Sequence, residues 1–277
     1  MIVQHNMSAL NANRQLGITN KALSKTTEKL SSGYRVNRAA DDAAGLSISE
    51  KMRGQIRGLN QASRNAQDGQ NLIQTAEGAL GEIHSVIQRM RELTVQASND
   101  TNVSADRKAI SMELAALSSE IDRIASQTEF NTMNLLNGKF TSKALQVGAN
   151  AKQLITFSIS AMNATALGIT KTTVADIVAA KNNGSSVTGL VSVVNKALSL
   201  VSQQRSKLGA LQNRLDHTID NADNMAENLQ SSESQIRDTN MADTMVQFSA
   251  KSIIQQAGQS MLAQANQATQ GVLSLLQ

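Results

Sequence analysis

The chain has 277 residues, a net charge of +4 and a sequence pI near 9.4, with no Cys, no Pro, no Trp and 2% aromatic residues. The missing cysteine excludes disulfides and thiolate metal sites, and so few rings exclude a thick globular core. Average usage would place roughly 14 prolines in such a chain, so their absence points to long helices that never had to be broken. Thin cores of Ala, Leu, Ile, Val and Met, as between the helices of a bundle, are what remain. Basic and acidic residues alternate throughout, which reads as solvated helix faces rather than a nucleic-acid surface. No run of ~18 apolar residues offers a membrane span. The first residues also lack the basic start and apolar stretch of a cleavable signal peptide, which leaves open secretion by a route that keeps the N-terminus.

In chain order, Met1 to Leu30 carries Val3, Met7 and Leu10, then Leu16, Leu23 and Leu30 in heptad register offset by one residue from the first set. Such a slip suits a long helix packing on more than one neighbour, with packing inside its own subunit as the alternative. Ser31, Ser32 and Gly33 break the pattern, and Tyr34 to Ala44 reads as a connector whose Asp41 and Asp42 favour a helix start. From Leu46 to Ala97 two apolar stripes run together: Leu80, Ile83, Ile87, Met90 and Ala97 on one side, Ala79, Val86 and Leu93 on another. A helix apolar on two sides packs between neighbours. After a polar loop at Asn99 to Ser104, Ala105 to Ser126 repeats Ile110, Leu114, Leu117, Ile121 and Ile124, a shorter antiparallel helix.

Phe130-Asn131 and Leu135 to Gly138 read as turns with apolar anchors. Leu145 and Val147, then Ile155, Phe157 and Ile159, alternate with polar neighbours around a Gly-Ala-Asn-Ala turn, a β-hairpin near 144–160. Thr170 to Gly189 is poor in apolar residues and holds Asn182-Asn183-Gly184-Ser185-Ser186, a short loop. From Val191 the three-four rhythm returns at Val194, Leu198, Val201, Leu208, Leu215, Ile219, Ala222, Ala226 and Leu229. At 1.5 Å per residue, about 45 helical residues span roughly 65–70 Å.

The last segment, Asp238 to Gln277, sets Ile254, Ala257, Met261, Ala265, Ala268, Val272 and Leu275 at coiled-coil spacing, with Leu262 and Leu276 beside the stripe and a Gln- and Ser-rich face opposite. An isolated helix of this kind is marginal. It needs a partner, and the comparable unattached stripe lies at the other end of the chain. The expected fold is therefore mainly α. It comprises a long antiparallel helical rod with coiled-coil-like packing and one small β-hairpin, plus a terminal two-helix coiled coil. Residues 1–42 with 239–277 would form the terminal unit, and 43–238 the central one.

No enzyme constellation is present. His5, His84 and His217 lie on separate elements without metal-ligand spacing, and Gly45, Gly54 and Gly58 lack the Lys-Ser/Thr of a phosphate loop. Neither a cofactor nor a metal is expected. The charged cluster that stands out is Arg89, Arg91 and Glu92, and the antiparallel return places Arg89 level with Glu113. An ion pair between helices or between subunits is the structural reading. Leu93, four residues from Arg89, is expected on the same face.

Lys29-Leu30-Ser31-Ser32-Gly33, Asn37 to Leu46, Ser49 to Arg53, Gln67-Asp68-Gly69, Gln74 to Leu80, Arg205 to Ala210 and Asn213-Arg214-Leu215 closely resemble the conserved ends of bacterial flagellins. The resemblance runs from Met1 to about Gly168 and from about Val187 to Gln277. It implies a subunit that self-assembles into the flagellar filament for motility, with the two termini in the filament core and the middle helices in an outer tube. It also implies export through the flagellar type III apparatus to the cell exterior, an export chaperone on the C-terminal helix, and hook–filament junction and cap proteins as partners. Gln88 to Leu93 resembles the stretch recognised by the Toll-like receptor for flagellin, with Arg89, an exposed Leu93 and Glu113 as its contacts. The related alternative is the hook–filament junction protein, and from another class, a secreted helical binding module that does not polymerise. Where many flagellins insert outer domains, only Thr170 to Gly189 stands here, and Thr269 replaces a proline common in close relatives.

Overall fold

The computed structural model describes residues 6–180 and 187–274. In chain order the elements are α1 (Met7–Ser32), α2 (Ala43–Ala97), α3 (Ser104–Gln127), β1 (Glu129–Phe130), β2 (Met133–Asn134), β3 (Lys143–Gln146) and β4 (Leu154–Phe157). They continue with α4 (Ala164–Leu167), α5 (Lys171–Ala180), α6 (Thr188–Arg237) and α7 (Met241–Ser274). The fold is mainly helical, with long helices packed on one another and a small β region. The chain divides into two compact units, one of residues up to Ile56 together with those from Glu227 on, the other Arg57–Ala226. The division falls inside α2 and α6, whereas the sequence pattern placed it at the turns near 42 and 239. An unbroken helix carries no local mark where its lateral neighbours change.

In the Arg57–Ala226 unit the core is a seam of aliphatic side chains. Leu80, Ile83, Ile87 and Met90 of α2 are fully buried with Leu114 and Ile121 of α3 and Val194, Val201 and Leu215 of α6. The second α2 stripe is covered too: Leu93 is buried, and Ala79 and Val86 pack partly buried against the same core. Polar ties fix the α2–α6 register at the seam's edges, where the Gln70 Nε2 donates to Asp216 Oδ1 at 2.8 Å and Arg205 meets Glu77 at 3.4 Å.

The hairpin lies where alternation predicts it. β3 and β4 are antiparallel with Leu145 opposite Ile155, and the Asn65 amide donates to Gln146 O at 3.1 Å to hold the hairpin on α2. Its loop comes so close that a methyl added at Gly58 would sit 2.9 Å from Ala149 Cβ, so only glycine fits there. The Phe130 turn is itself a second, two-residue-looped hairpin, β1–β2, with Asn131 and Thr132 at φ 47° and 62°. Both central residues thus have the positive φ of a type I′ turn, unusual for a β-branched threonine.

The segment read as a loop near 170–189 is corrected in part. Residues Lys171–Ala180 form α5, which packs on α3 and buries Val174, Ala175 and Val178. Its apolar residues all fall within Val174–Ala180, a cluster under two helical turns long, too short to show a period, and the tertiary surface of α3 decides the helix. The Ser118 hydroxyl donates to Ile169 O at 3.0 Å, and Asp122 accepts from Ala164 N at 2.8 Å, tying α4 and the approach to α5 to α3. The turn read at 182–186 lies outside the described residues.

In the terminal unit α1 stops at Gly33, whose φ of 75° lets its N–H reach Lys29 O at 2.9 Å. Asp42 starts α2 by accepting Gly45 N at 2.8 Å, while Asp41 turns instead to the connector. Its carboxylate takes the backbone N–H groups of Asn37 and Arg38 and meets Lys25 at 2.7 Å. The connector then closes on the α6–α7 junction: Tyr34 bridges Asp238, Arg35 N donates to Arg237 O at 2.7 Å, and Thr239 N donates to Gly33 O at 2.9 Å. The Arg237 guanidinium lies 4.7 Å from the Tyr34 ring centre and 2.8 Å from Glu50 Oε1, which Arg53 also contacts at 3.0 Å.

Lys25, followed by the Arg38 N–H, holds the Asp41 carboxyl at about 2, well below its ordinary 3.8. A depressed carboxyl contributes stability above its unfolded pKa and loses it as pH falls through the folded value. The connector's contribution is therefore complete at neutral pH and is lost between about 4 and about 2. Asp41→Asn should lower the thermal midpoint at pH 7 and flatten its fall across that window, as followed by circular dichroism. Parallel pH profiles for the two proteins would show that Asp41 carries none of it.

Candidate functional site

α1 and α7 run antiparallel, tied by Asn6 Nδ2 to Ala265 O at 3.0 Å, Gln255 Nε2 to Asn20 Oδ1 at 2.8 Å and Lys251 Nζ to Thr26 Oγ1 at 2.6 Å. Gly258 lies beside Leu16 at the same interface. The stripe residues read from sequence divide in two. Leu16, Leu23, Leu30, Leu262 and Ala265 are half-buried, whereas Met7, Leu10, Ile254, Ala257 and Met261 face solvent. Val3, Leu275, Leu276 and the Val272 side chain lie outside the described residues. Among the described residues of the two helices only Thr26 and Thr244 are buried, and both are polar. The pair therefore leaves its apolar content unsealed.

Sequence reasoning missed part of this surface. Ile18, Met245, Val246 and Ile253 are also exposed, Val246 to 70%. They fall outside the three-four register that drew attention to the stripe. The available signal was that α7 carries apolar residues on more than one side, which implies more than one neighbour.

The comparisons with known proteins bear on this surface. Residues 3–141 match the bacterial flagellin N-terminal helical region and residues 191–276 the bacterial flagellin C-terminal helical region. The chain belongs to the bacterial flagellin family. It is 53% identical over 276 residues to the flagellin of Halalkalibacterium halodurans, 48% identical to that of Bacillus subtilis and 48% identical to flagellin FlaB2 of Treponema pallidum, with all of both chains covered each time. A putative flagellar hook-associated protein from Vibrio parahaemolyticus shares the fold at a TM-score of 0.62 and 11% identity, over 72% of this chain and 100% of that one. This flagellin is thus a structural subunit that self-assembles into the flagellar filament for motility, a family whose work is structural rather than enzymatic. The stripes on α1 and α7 are unsealed surface on a protein whose function is to pack against copies of itself.

A second feature of this flagellin is the charged group on α2 and α3. Arg89 donates to Glu113 Oε1 from Nε at 3.0 Å and from Nη2 at 2.9 Å, and to Glu92 Oε2 at 3.1 Å. Glu113 first and Glu92 second hold the guanidinium protonated more firmly than usual. The expected level pairing across the helix return is present, and both Arg89 and Glu113 are about half exposed. Leu93 is not exposed as expected: it retains 2% of its surface, within the same core as Ile110 and Leu114. Four residues turn a helix by about 40° beyond a full circle, enough here to carry Leu93 under the α3 seam while Arg89 stays at its rim. The exposed apolar neighbours in sequence are Met112 and Val95.

Buried polar residues not singled out from sequence include Arg107 and Gln204. Arg107 is 3% exposed, and its guanidinium donates to Ala97 O and Asn99 O at 3.2 Å each and meets Asp100 at 3.1 Å. It closes the C-terminal end of α2, where backbone carbonyls lack helical partners. The signal was its position, three residues before Ile110 and in step with the α3 stripe. Gln204 fills the slot between Val201 and Leu208, a polar gap in the α6 stripe. His84 pairs with Gln88 at 3.0 Å, His217 stands apart on α6, and His5 lies outside the described residues. Among the described residues no three His, Asp or Glu side chains gather to hold a metal, and no helix is long and apolar enough to cross a membrane.

Replacing Arg107 by Met keeps much of its volume but strands two carbonyls at the end of α2. The monomer should lose about 2–4 kcal/mol, read as a lower urea midpoint with an unchanged slope. An unchanged midpoint would show that water replaces the guanidinium at no cost.

Proposed function

We propose that the α1–α7 pair lies in the filament core and that Met7, Leu10, Leu16, Leu23, Leu30, Ile254, Ala257, Met261, Leu262 and Ala265 are buried there against neighbouring subunits, with Val3, Val272, Leu275 and Leu276 completing the stripe. The observation that carries this is the pair's burial of two threonines and no complete apolar side chain among its described residues. A two-helix unit in that state gains stability only by acquiring more neighbours. Export through the flagellar type III apparatus to the cell exterior accords with this reading. A chaperone would cover the apolar faces of α7 beforehand, and the hook–filament junction and cap proteins would meet the same faces at the filament's ends.

A receptor site on the free subunit is the second reading, supported by Arg89 and Glu113 at the rim of the α2–α3 seam. These two contact the Toll-like receptor for flagellin, and Leu93 acts from beneath by setting the α2 backbone that presents Arg89. A planar guanidinium, half exposed and held at the rim of a packed seam, suits a binding hot spot.

Met261→Asp would bring an unpaired carboxylate into each subunit interface, a penalty of several kcal/mol. Monomer helicity should hold while electron microscopy finds no filaments at concentrations where the parent protein polymerises. Parent-like filaments from this variant would show that Met261 stays in solvent. For the receptor, Arg89→Ala monomer should bind the isolated ectodomain about 1–2 kcal/mol more weakly, and equal affinities in titration reject the site.

A further inference from the structure

Eleven methionines lie along the chain. Two belong to the central core, Met90 with no exposed surface and Met162 with 4%. Four others sit on α1 and α7, each about half or more exposed: Met7 at 67%, Met241 at 49%, Met245 at 52% and Met261 at 60%. Met7 and Met261 lie toward one end of the antiparallel pair, fixed by the Asn6–Ala265 hydrogen bond. Met241 and Met245 lie at the other end, four residues apart and so on one helix face. Both ends of the surface thus carry accessible thioethers.

A thioether packs as an adaptable apolar group, and it is also readily oxidised to a polar sulfoxide. We infer that these four methionines make the free subunit an oxidation-sensitive building block: peroxide converts them to sulfoxides before assembly covers them, and the oxidised subunit no longer joins a filament. The inference rests on the reading that α1 and α7 are covered by neighbouring subunits. In the step itself a sulfur lone pair attacks one peroxide oxygen, the O–O bond breaks and an S–O bond forms. Sulfur is oxidised by two electrons, and the second oxygen takes up a proton from the first through solvent and leaves as water. The sulfoxide oxygen is an acceptor without a donor of its own, and an interface lined by Leu, Ile, Val and Met offers it no partner. Reduction by a dithiol, as in methionine sulfoxide reductases, returns the thioether with release of water and formation of a disulfide in the reductant.

The test treats purified monomer with hydrogen peroxide, maps added oxygen by peptide mass spectrometry and measures the critical concentration for filament formation by sedimentation. Met7, Met241, Met245 and Met261 should each gain one oxygen while Met90 and Met162 do not. The critical concentration should rise at least tenfold, and treatment with both sulfoxide reductases should restore it. The quadruple variant with leucine at these four positions keeps apolar volume and retains Met112, Met133 and Met225. It should assemble with and without peroxide. Oxidised parent protein that assembles normally overturns the proposal, as does peroxide inhibition of the quadruple variant, which would place the sensitive sulfur elsewhere. If the leucine variant assembles poorly even untreated, reductase rescue of the oxidised parent decides alone, and no recovery counts against the proposal. The underlying surface reading fails separately: Met261→Asp would then assemble, whereas loss of assembly by Met261→Asp beside normal assembly of oxidised protein rejects only the oxidation step.

Discussion

Everything in this chain follows from a shortage of ways to seal an aliphatic stripe. With no proline to turn the helices and almost no rings to fill wide gaps, the main cover for one long helix is another, with the hairpin and the short α4 and α5 filling in beside them. In the Arg57–Ala226 unit the cover suffices: α2 is packed on two sides, and Leu80, Ile83, Ile87 and Met90 have no exposed surface. In the terminal unit it does not suffice, because two helices alone cannot enclose a stripe that each carries on more than one side. The same packing rule thus yields a closed core in one unit and an open surface in the other. On the proposed reading, polymerisation supplies the neighbours that the terminal unit lacks.

The polar residues act as locators on this aliphatic background. The connector after α1 buries one apolar side chain, Val36, and is otherwise held by charge and backbone hydrogen bonds: Asp41 to Lys25, Asn37 and Arg38, and Tyr34 and Arg35 to the Arg237–Asp238 turn. Arg237 joins three groups at once: its guanidinium meets the Tyr34 face and the Glu50 carboxylate, and its backbone carbonyl accepts the Arg35 N–H. Such contacts add little stability individually when exposed. Their geometry is directional, however, and direction is what an aliphatic seam cannot provide.

Most of this was legible because helices of this length repeat their signal many times. The α2 and α6 stripes, the Gly33 stop, the Asp42 start and the hairpin of alternating Leu145, Ile155 and Phe157 all express local periodicity or local capping. What escaped has a tertiary cause. The apolar residues of α5 are bunched into less than two turns, too short a run to show a period, and the helix packs on the surface that α3 offers it. Burial of Leu93 depends on the azimuth of α2 against α3, which spacing alone gives only to within tens of degrees. Arg107 looks like any surface arginine until the carbonyls at the end of α2 are placed beside it. The flagellin resemblance named the self-assembling protein from motifs that coincide with these caps and close approaches.

The polar ties described between α1 and α7 have a further consequence. Apolar stripes of Leu, Met and Ala accept a neighbour almost equally well after sliding by one helical turn, about 5.4 Å. The ties at Asn6–Ala265, Asn20–Gln255 and Thr26–Lys251 do not, since a shift of that size breaks all three together. They serve as a vernier, setting the axial offset of one helix against the other independently of how well the aliphatic surface fits. The axial offset between the two helices is thus a property of the single chain.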